Sequence, residues 1–182
     1  MLEKKGGSCH AVPVQRPAGA HEIHYPLEPD ALHPGRISQR AHLLCLIAKH
    51  YTGTPCRPKT VAVAALYHDA PEIITGDMPT PVKYSSPTLR DAYKALETES
   101  VRCMTGLLPD ELSEELSPFI SGELLTAEEK RLLKAADRLS ALIKCTEEQR
   151  SGNHEFDAAL AQQKAALQAM HCPEADWFIE HC

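Results

Sequence analysis

Nowhere in this 182-residue chain does an apolar run approach the roughly 20 residues that a membrane-spanning helix needs. The N-terminus, MLEKKGGSCHAVPVQRPAG, lacks the apolar stretch of a secretory signal. Both absences point to a cytoplasmic protein with no membrane partner. A basic excess is missing as well: the formal net charge is -6, which leaves no footprint for tracking a nucleic-acid polymer by neutralising its phosphates. A small anion drawn to one local cationic site remains compatible with that charge. The seven cysteines include no CxxC pair, which argues for reduced thiols and against a disulfide framework. Finally, no segment alternates polar and apolar residues at period two over a useful length, and no internal repeat is present.

What is there reads as helix. Residues 1–34, rich in Gly, Pro and His, form an irregular arm without sustained period, and residues 35–182 form one domain. After Pro34-Gly35, the residues Ile37, Ala41, Leu44 and Ile47 or Ala48 recur at helical spacing. Pro55 to Pro58 make a turn, and Val61, Ala64, Ala65 and Leu66 begin a buried helix that ends near His68-Asp69. Leu89, Tyr93, Leu96 and Met104 mark a third helix closed near Gly106, and Pro109 opens a short one, PDELSEEL. Thr126 and Glu129 have the spacing of a capping box. They launch the longest helix, with Leu132, Ala136, Leu139 and Ile143 on one face up to Ser151-Gly152. Asn153 is placed to cap the next helix, whose Phe156, Leu160 and Leu167 face inward. The C-terminal HCPEADWFIEHC carries two His-Cys pairs, but their spacing fits no zinc module, and a helical tail packing Trp177 and Phe178 is favoured. The expected fold is all-α, six to eight helices around one core.

The chemistry centres on LYHDAPEIITGDMPTPVKY, residues 66–84. A His-Asp dipeptide alone is weak evidence. Here it ends an apolar helix, where a carboxylate is costly to bury unless something positive meets it. A divalent metal would remove that cost, taking one imidazole nitrogen and one carboxylate oxygen. Asp137 poses the same problem beside the apolar stripe of LLKAADRLSALIKC. Read alone, it either bridges to a neighbouring helix or ligates the same ion. Glu72 follows Asp69 by three residues, so one further helical turn would put both carboxylates on one face.

The His-Asp pair, a Glu three residues on, the following TGDMPTPVKY and a later helix with AADRL together resemble the HD-domain phosphohydrolases, and within them the YfbR-like 5'-deoxynucleotidases. The resemblance covers most of residues 20–170. It implies an all-helical, commonly dimeric enzyme that hydrolyses deoxyribonucleoside 5'-monophosphates with a divalent metal such as cobalt, manganese or copper. It makes His68, Asp69 and Asp137 metal ligands, and Glu72 the residue that orients or activates the attacking water. Asp77 becomes a catalytic and substrate-binding residue. With it, Thr80, Pro81, Val82 and Lys83 line the nucleotide pocket, Lys83 facing the phosphate.

Two departures stand out. Aligning Arg36-Ile37-Ser38-Gln39-Arg40 with the family's first-helix ligand motif puts Arg40 where a histidine belongs, and a guanidinium cannot ligate a metal. His33 and His42 are the alternatives for the fourth position, with water a further one. His42 lies two residues beyond Arg40, on roughly the opposite helical side, so the spacing favours His33. The family's Arg-Trp before Pro-Leu is replaced by His24-Tyr25; Tyr25 can still pack against deoxyribose, while His24 is a weaker phosphate partner. The same residues also allow an HD hydrolase of another nucleotide, including a triphosphate, or a protein that binds nucleotide without turnover.

Overall fold

The structure, a computed structural model, describes residues 34–76, 78, 80–83 and 85–182. The N-terminal arm up to residue 33, with His24, Tyr25 and His33, lies outside the described residues, as does Asp77. Helix α1 (Pro34–Ile47) runs on as a π-helical turn, Ala48–Thr52, and stops at Gly53, whose φ of 77° suits a residue without a Cβ. Then follow α2 (Pro58–Tyr67), two single turns α3 (Glu72–Thr75) and α4 (Thr80–Lys83), α5 (Pro87–Thr105), α6 (Asp110–Ile120), α7 (Ala127–Arg150), α8 (Asp157–Gln168) and α9 (Pro173–His181). Seven of these have nine residues or more, and no strand occurs among the described residues. The all-α expectation therefore holds. None of the described helices is long and apolar enough to cross a membrane.

Helix α1 is the centre of the core, packed against both α2 and α7. Ile37, Ala41, Leu44, Ile47 and Ala48 are all buried, as their spacing predicts, against Val61, Ala64 and Ala65 of α2 and Leu132, Ala136 and Leu139 of α7. Alanines at the contact let the helices approach closely. Ser38 Oγ donates to the Ala62 carbonyl at 2.7 Å. With only residues 53–57 between the two helical stretches, this pairing makes α1 and α2 antiparallel, and the last turn of α2 runs toward the N-terminal end of α1.

The ends of α7 and α9 are pinned by buried carboxylates. Glu129 accepts from Arg57 Nε and from the backbone N–H of Arg57, both at 2.8 Å, and from the Thr126 N–H at 2.9 Å, completing the expected capping box. Glu174, fully buried, accepts from Thr52, the last residue of the π-turn, and from Thr54 just after it, and meets Arg131 of α7. Trp177 stacks between Tyr51 and His181 at 4.4 and 4.3 Å. The C-terminal tail thus packs as a helix, and its His-Cys pairs form no metal cluster among the described residues.

Several local expectations fail for physical reasons. Leu66 and Leu96 are exposed, because α2 and α5 are each covered on one side only. Helix α6 continues past PDELSEEL and through Pro118 to Ile120, which buries its end against the core. Asn153 does not cap α8: its Oδ1 accepts from the Glu155 N–H and its Nδ2 donates to Glu148, so it ties a turn to α7. Phe156 takes the cap position and is exposed.

Candidate metal and nucleotide site

His68 sits where α2 ends, still with helical backbone angles. Its Nδ1 lies 2.8 Å from the Ala65 carbonyl, an atom that only accepts, so Nδ1 carries a proton, and in the neutral ring Nε2 presents a lone pair. Nε2 is 3.0 Å from Asp69 Oδ1 yet is buried without a hydrogen bond. The pair is close enough for an ion pair, yet no hydrogen bond joins the two atoms. A lone pair and a carboxylate oxygen held side by side repel unless a proton or a metal cation joins them. This is the donor chemistry of a borderline divalent metal site, with the second ring nitrogen anchored to a backbone carbonyl as such ligands usually are.

Asp137 projects from α7 into the same cavity as His68, a space of about 310 Å³ between α2, α7 and the end of α6. Among the described residues no three His, Cys, Asp or Glu side chains close into a ready-made cage. His68 and Asp69 form a close pair, and Asp137 faces His68 across shared space. The donor types fit a divalent ion, with His33 beyond the described residues. Glu72, the first residue of α3, lines a second cavity of about 650 Å³ that also includes His68. The two spaces share His68, Ile120, Ser121 and Lys130, so they meet at the imidazole.

Arg40 is not at this corner. Its Nη1 donates to Ser140 Oγ of α7 at 3.0 Å, and it lines neither cavity. Burial, then the neighbouring Arg36, lower its pKa from the usual arginine value, with Glu147 acting the other way. Position 40 is about two helical turns from the N-terminal end of α1, whereas the last turn of α2 points toward that end. In this packing Arg40 reaches α7 at Ser140, one turn beyond Asp137. His42 lines neither cavity.

The loop after α3 is held by residues the sequence did not single out as functional. The buried Tyr93 of α5 donates its hydroxyl to the Gly76 carbonyl at 2.9 Å and lies 3.2 Å from Thr75 Oγ1. Lys83 Nζ stands 4.4 Å over the Tyr93 ring and 2.8 Å from Glu97 Oε1. Lys83 is thus tied to α5, and Glu97 lines the larger cavity. Val82 is exposed; Thr80 and Pro81 contribute the backbone of α4. Spacing gave one usable clue to Tyr93 and Glu97: they are four apart on α5 and share a face.

Compared with known families, residues 18–182 match the family described as 5'-deoxynucleotidase YfbR-like. The chain belongs to this family. Curated relatives include a 5'-deoxynucleotidase of Photorhabdus laumondii, 38% identical over 148 residues that cover 81% of this chain and 75% of that one. A Vibrio vulnificus 5'-deoxynucleotidase is 37% identical over 147 residues, 81% of this chain and 76% of the relative. The 5'-deoxynucleotidase YfbR of an Escherichia coli O1:K1 strain is 38% identical over 148 residues, 81% and 74% of the two chains. In this chain His68 and Asp137 line one cavity, with Asp69 beside His68.

Proposed function

We propose that the protein is a metal-dependent phosphohydrolase that removes the 5'-phosphate from deoxyribonucleoside 5'-monophosphates. The observation that carries this reading is the buried, bare Nε2 of His68 against the Asp69 carboxylate, at the mouth of a cavity shared with Asp137. Membership of a family whose named relatives are 5'-deoxynucleotidases supports it. His68, Asp69 and Asp137 would hold the ion, with His33 as the fourth ligand. The antiparallel packing of α1 on α2 supports that choice, because it carries the start of α1 toward His68. A bound divalent metal such as cobalt, manganese or copper supplies an acidified water and polarises a phosphoryl oxygen.

The chain's own residues do the rest. Glu72, in the cavity that meets His68, is placed to accept a proton from an attacking water or to orient it. Lys83, together with Asp77, Thr80, Pro81 and Val82, would border the nucleotide, with Tyr25 from the arm against the deoxyribose. Tyr93 and Glu97 hold α4 and the preceding glycine in place for that task. We further propose a homodimer, which sedimentation equilibrium tests directly. The activity is tested by incubating purified protein with dAMP, dGMP, TMP, AMP and dATP plus cobalt or manganese. Phosphate release from the deoxy monophosphates, abolished by EDTA, is expected. Release from dATP alone, or from nothing in metal-loaded protein, overturns the reading.

A further inference from the structure

The two cavities that meet at His68 are faced by cations to which neither the resemblance nor the proposed mechanism gives a role. Lys130 borders both spaces, and Lys134 borders the smaller one beside Asp137. On α7 these positions lie at i, i+4 and i+7, so they share one helical face. The geometry points to Lys130 and Lys134 as the pair that grips the phosphate group of the substrate, and then the inorganic phosphate product, across the cavity from His68. This role rests on the phosphohydrolase reading above.

Electrostatics on α7 make the pair unusual. Like charges at i, i+4 repel, and Lys130 stands in the first turn of α7, where the helix dipole also disfavours a cation. The two acids nearest Lys130 in sequence are paired with arginines. Glu128 pairs with Arg131, and Glu129 is taken up by Arg57. Of the other cations near the site, Lys83 pairs with Glu97 and Arg102 with Glu99, while Lys94 lines only the larger cavity. Neither Lys130 nor Lys134 makes an ion pair with another described residue. A phosphate monoester, carrying nearly two negative charges at neutral pH, is the ligand that two such lysines facing one cavity would bind. Lys130, common to both cavities, is positioned to follow the phosphate as it leaves.

The test uses full-length protein and inorganic phosphate as probe. Binding is followed by calorimetry, and phosphate is also titrated as an inhibitor of dAMP hydrolysis. In K130A/K134A, the Kd for phosphate and the KM for dAMP are expected to rise at least tenfold while cobalt content and thermal midpoint stay near those of the unaltered protein. The charge-conserving K130R/K134R is expected to recover most of the phosphate affinity, which a merely structural role would not predict. A folded K130A/K134A with unchanged phosphate Kd and unchanged KM overturns the proposal. Should the unaltered protein hydrolyse no monophosphate, yet bind phosphate through these two lysines, the phosphohydrolase reading fails and the anion site stands.

Discussion

The Nε2 of His68 and the Oδ1 of Asp69 lie 3.0 Å apart with no hydrogen bond between them, while the other ring nitrogen is fixed by the Ala65 carbonyl. On the proposed reading, a metal ion is the partner that joins these two atoms. His68→Ala and Asp69→Asn should each lose bound cobalt or manganese on dialysis and slow phosphate release by about 100-fold or more. Metal analysis of the dialysed variants beside a phosphate assay checks both. A His68→Ala protein that keeps its metal and its turnover would show that the corner has another purpose.

Arg40 offers a contrasting case, since it bonds Ser140 and not the His68 corner. Arg40→His should therefore bring no gain in metal affinity or turnover, and should cost about 1 kcal/mol of stability through the lost side-chain bond. His33→Ala should lower cobalt affinity instead. Cobalt titrations of the two variants separate these outcomes. Tighter cobalt binding in Arg40→His would reinstate position 40 as the ligand position.

Helical periodicity made much of the fold legible: the buried face of α1 and the capping box of α7 follow from apolar spacing and from side chains reaching back to unpaired N–H groups. The resemblance supplied Asp137 as a partner of His68, and the fold places both at one cavity. Pairings across the fold were not legible. Nothing local tells that Arg40 meets Ser140, 100 residues on, or that Glu129 receives Arg57 from a loop 72 residues earlier. Nor does spacing show that Leu66 and Leu96 face solvent, since exposure depends on whether a neighbouring helix covers that side. A short motif such as that aligned at Arg40 carries no information on helix register against a partner.

Tyr93 connects the core to the loop beside the site. Tyr93→Phe keeps the ring under Lys83 but removes the hydroxyl bonds to Gly76 and Thr75. The loop should then sample more positions, raising KM for a deoxynucleoside monophosphate about fivefold, equivalent to the loss of roughly 1 kcal/mol. Metal content should not change. Steady-state kinetics with metal analysis tests this, and an unaltered KM would mean that the loop is held by other contacts.

Acid should weaken the fold through Glu129. The hydrogen bond from Arg57 is the main cause of its depressed pKa; burial works against that, and the Thr126 and Arg57 backbone N–H groups add to the depression, bringing it down to about 2 from an ordinary 4.5. A carboxyl with a depressed folded-state pKa contributes stability that is complete above the unfolded value and is lost as pH falls toward the folded one. The loss should therefore run from about pH 5 to about pH 2. The full shift would correspond to roughly 3 kcal/mol, and the half-exposed Arg57 partner reduces this to about 2. Glu129→Gln should be less stable than the unaltered protein by that amount at pH 7, and the gap should narrow steadily below pH 4.5. Urea unfolding at pH 7, 5, 4 and 3 measures it. Glu174, whose pKa is also lowered despite burial because Thr52 and Thr54 donate to it, remains in both proteins and so cancels from the difference. A gap that stays constant down to pH 3 would place the effect of Glu129 in its shape and not in its charge.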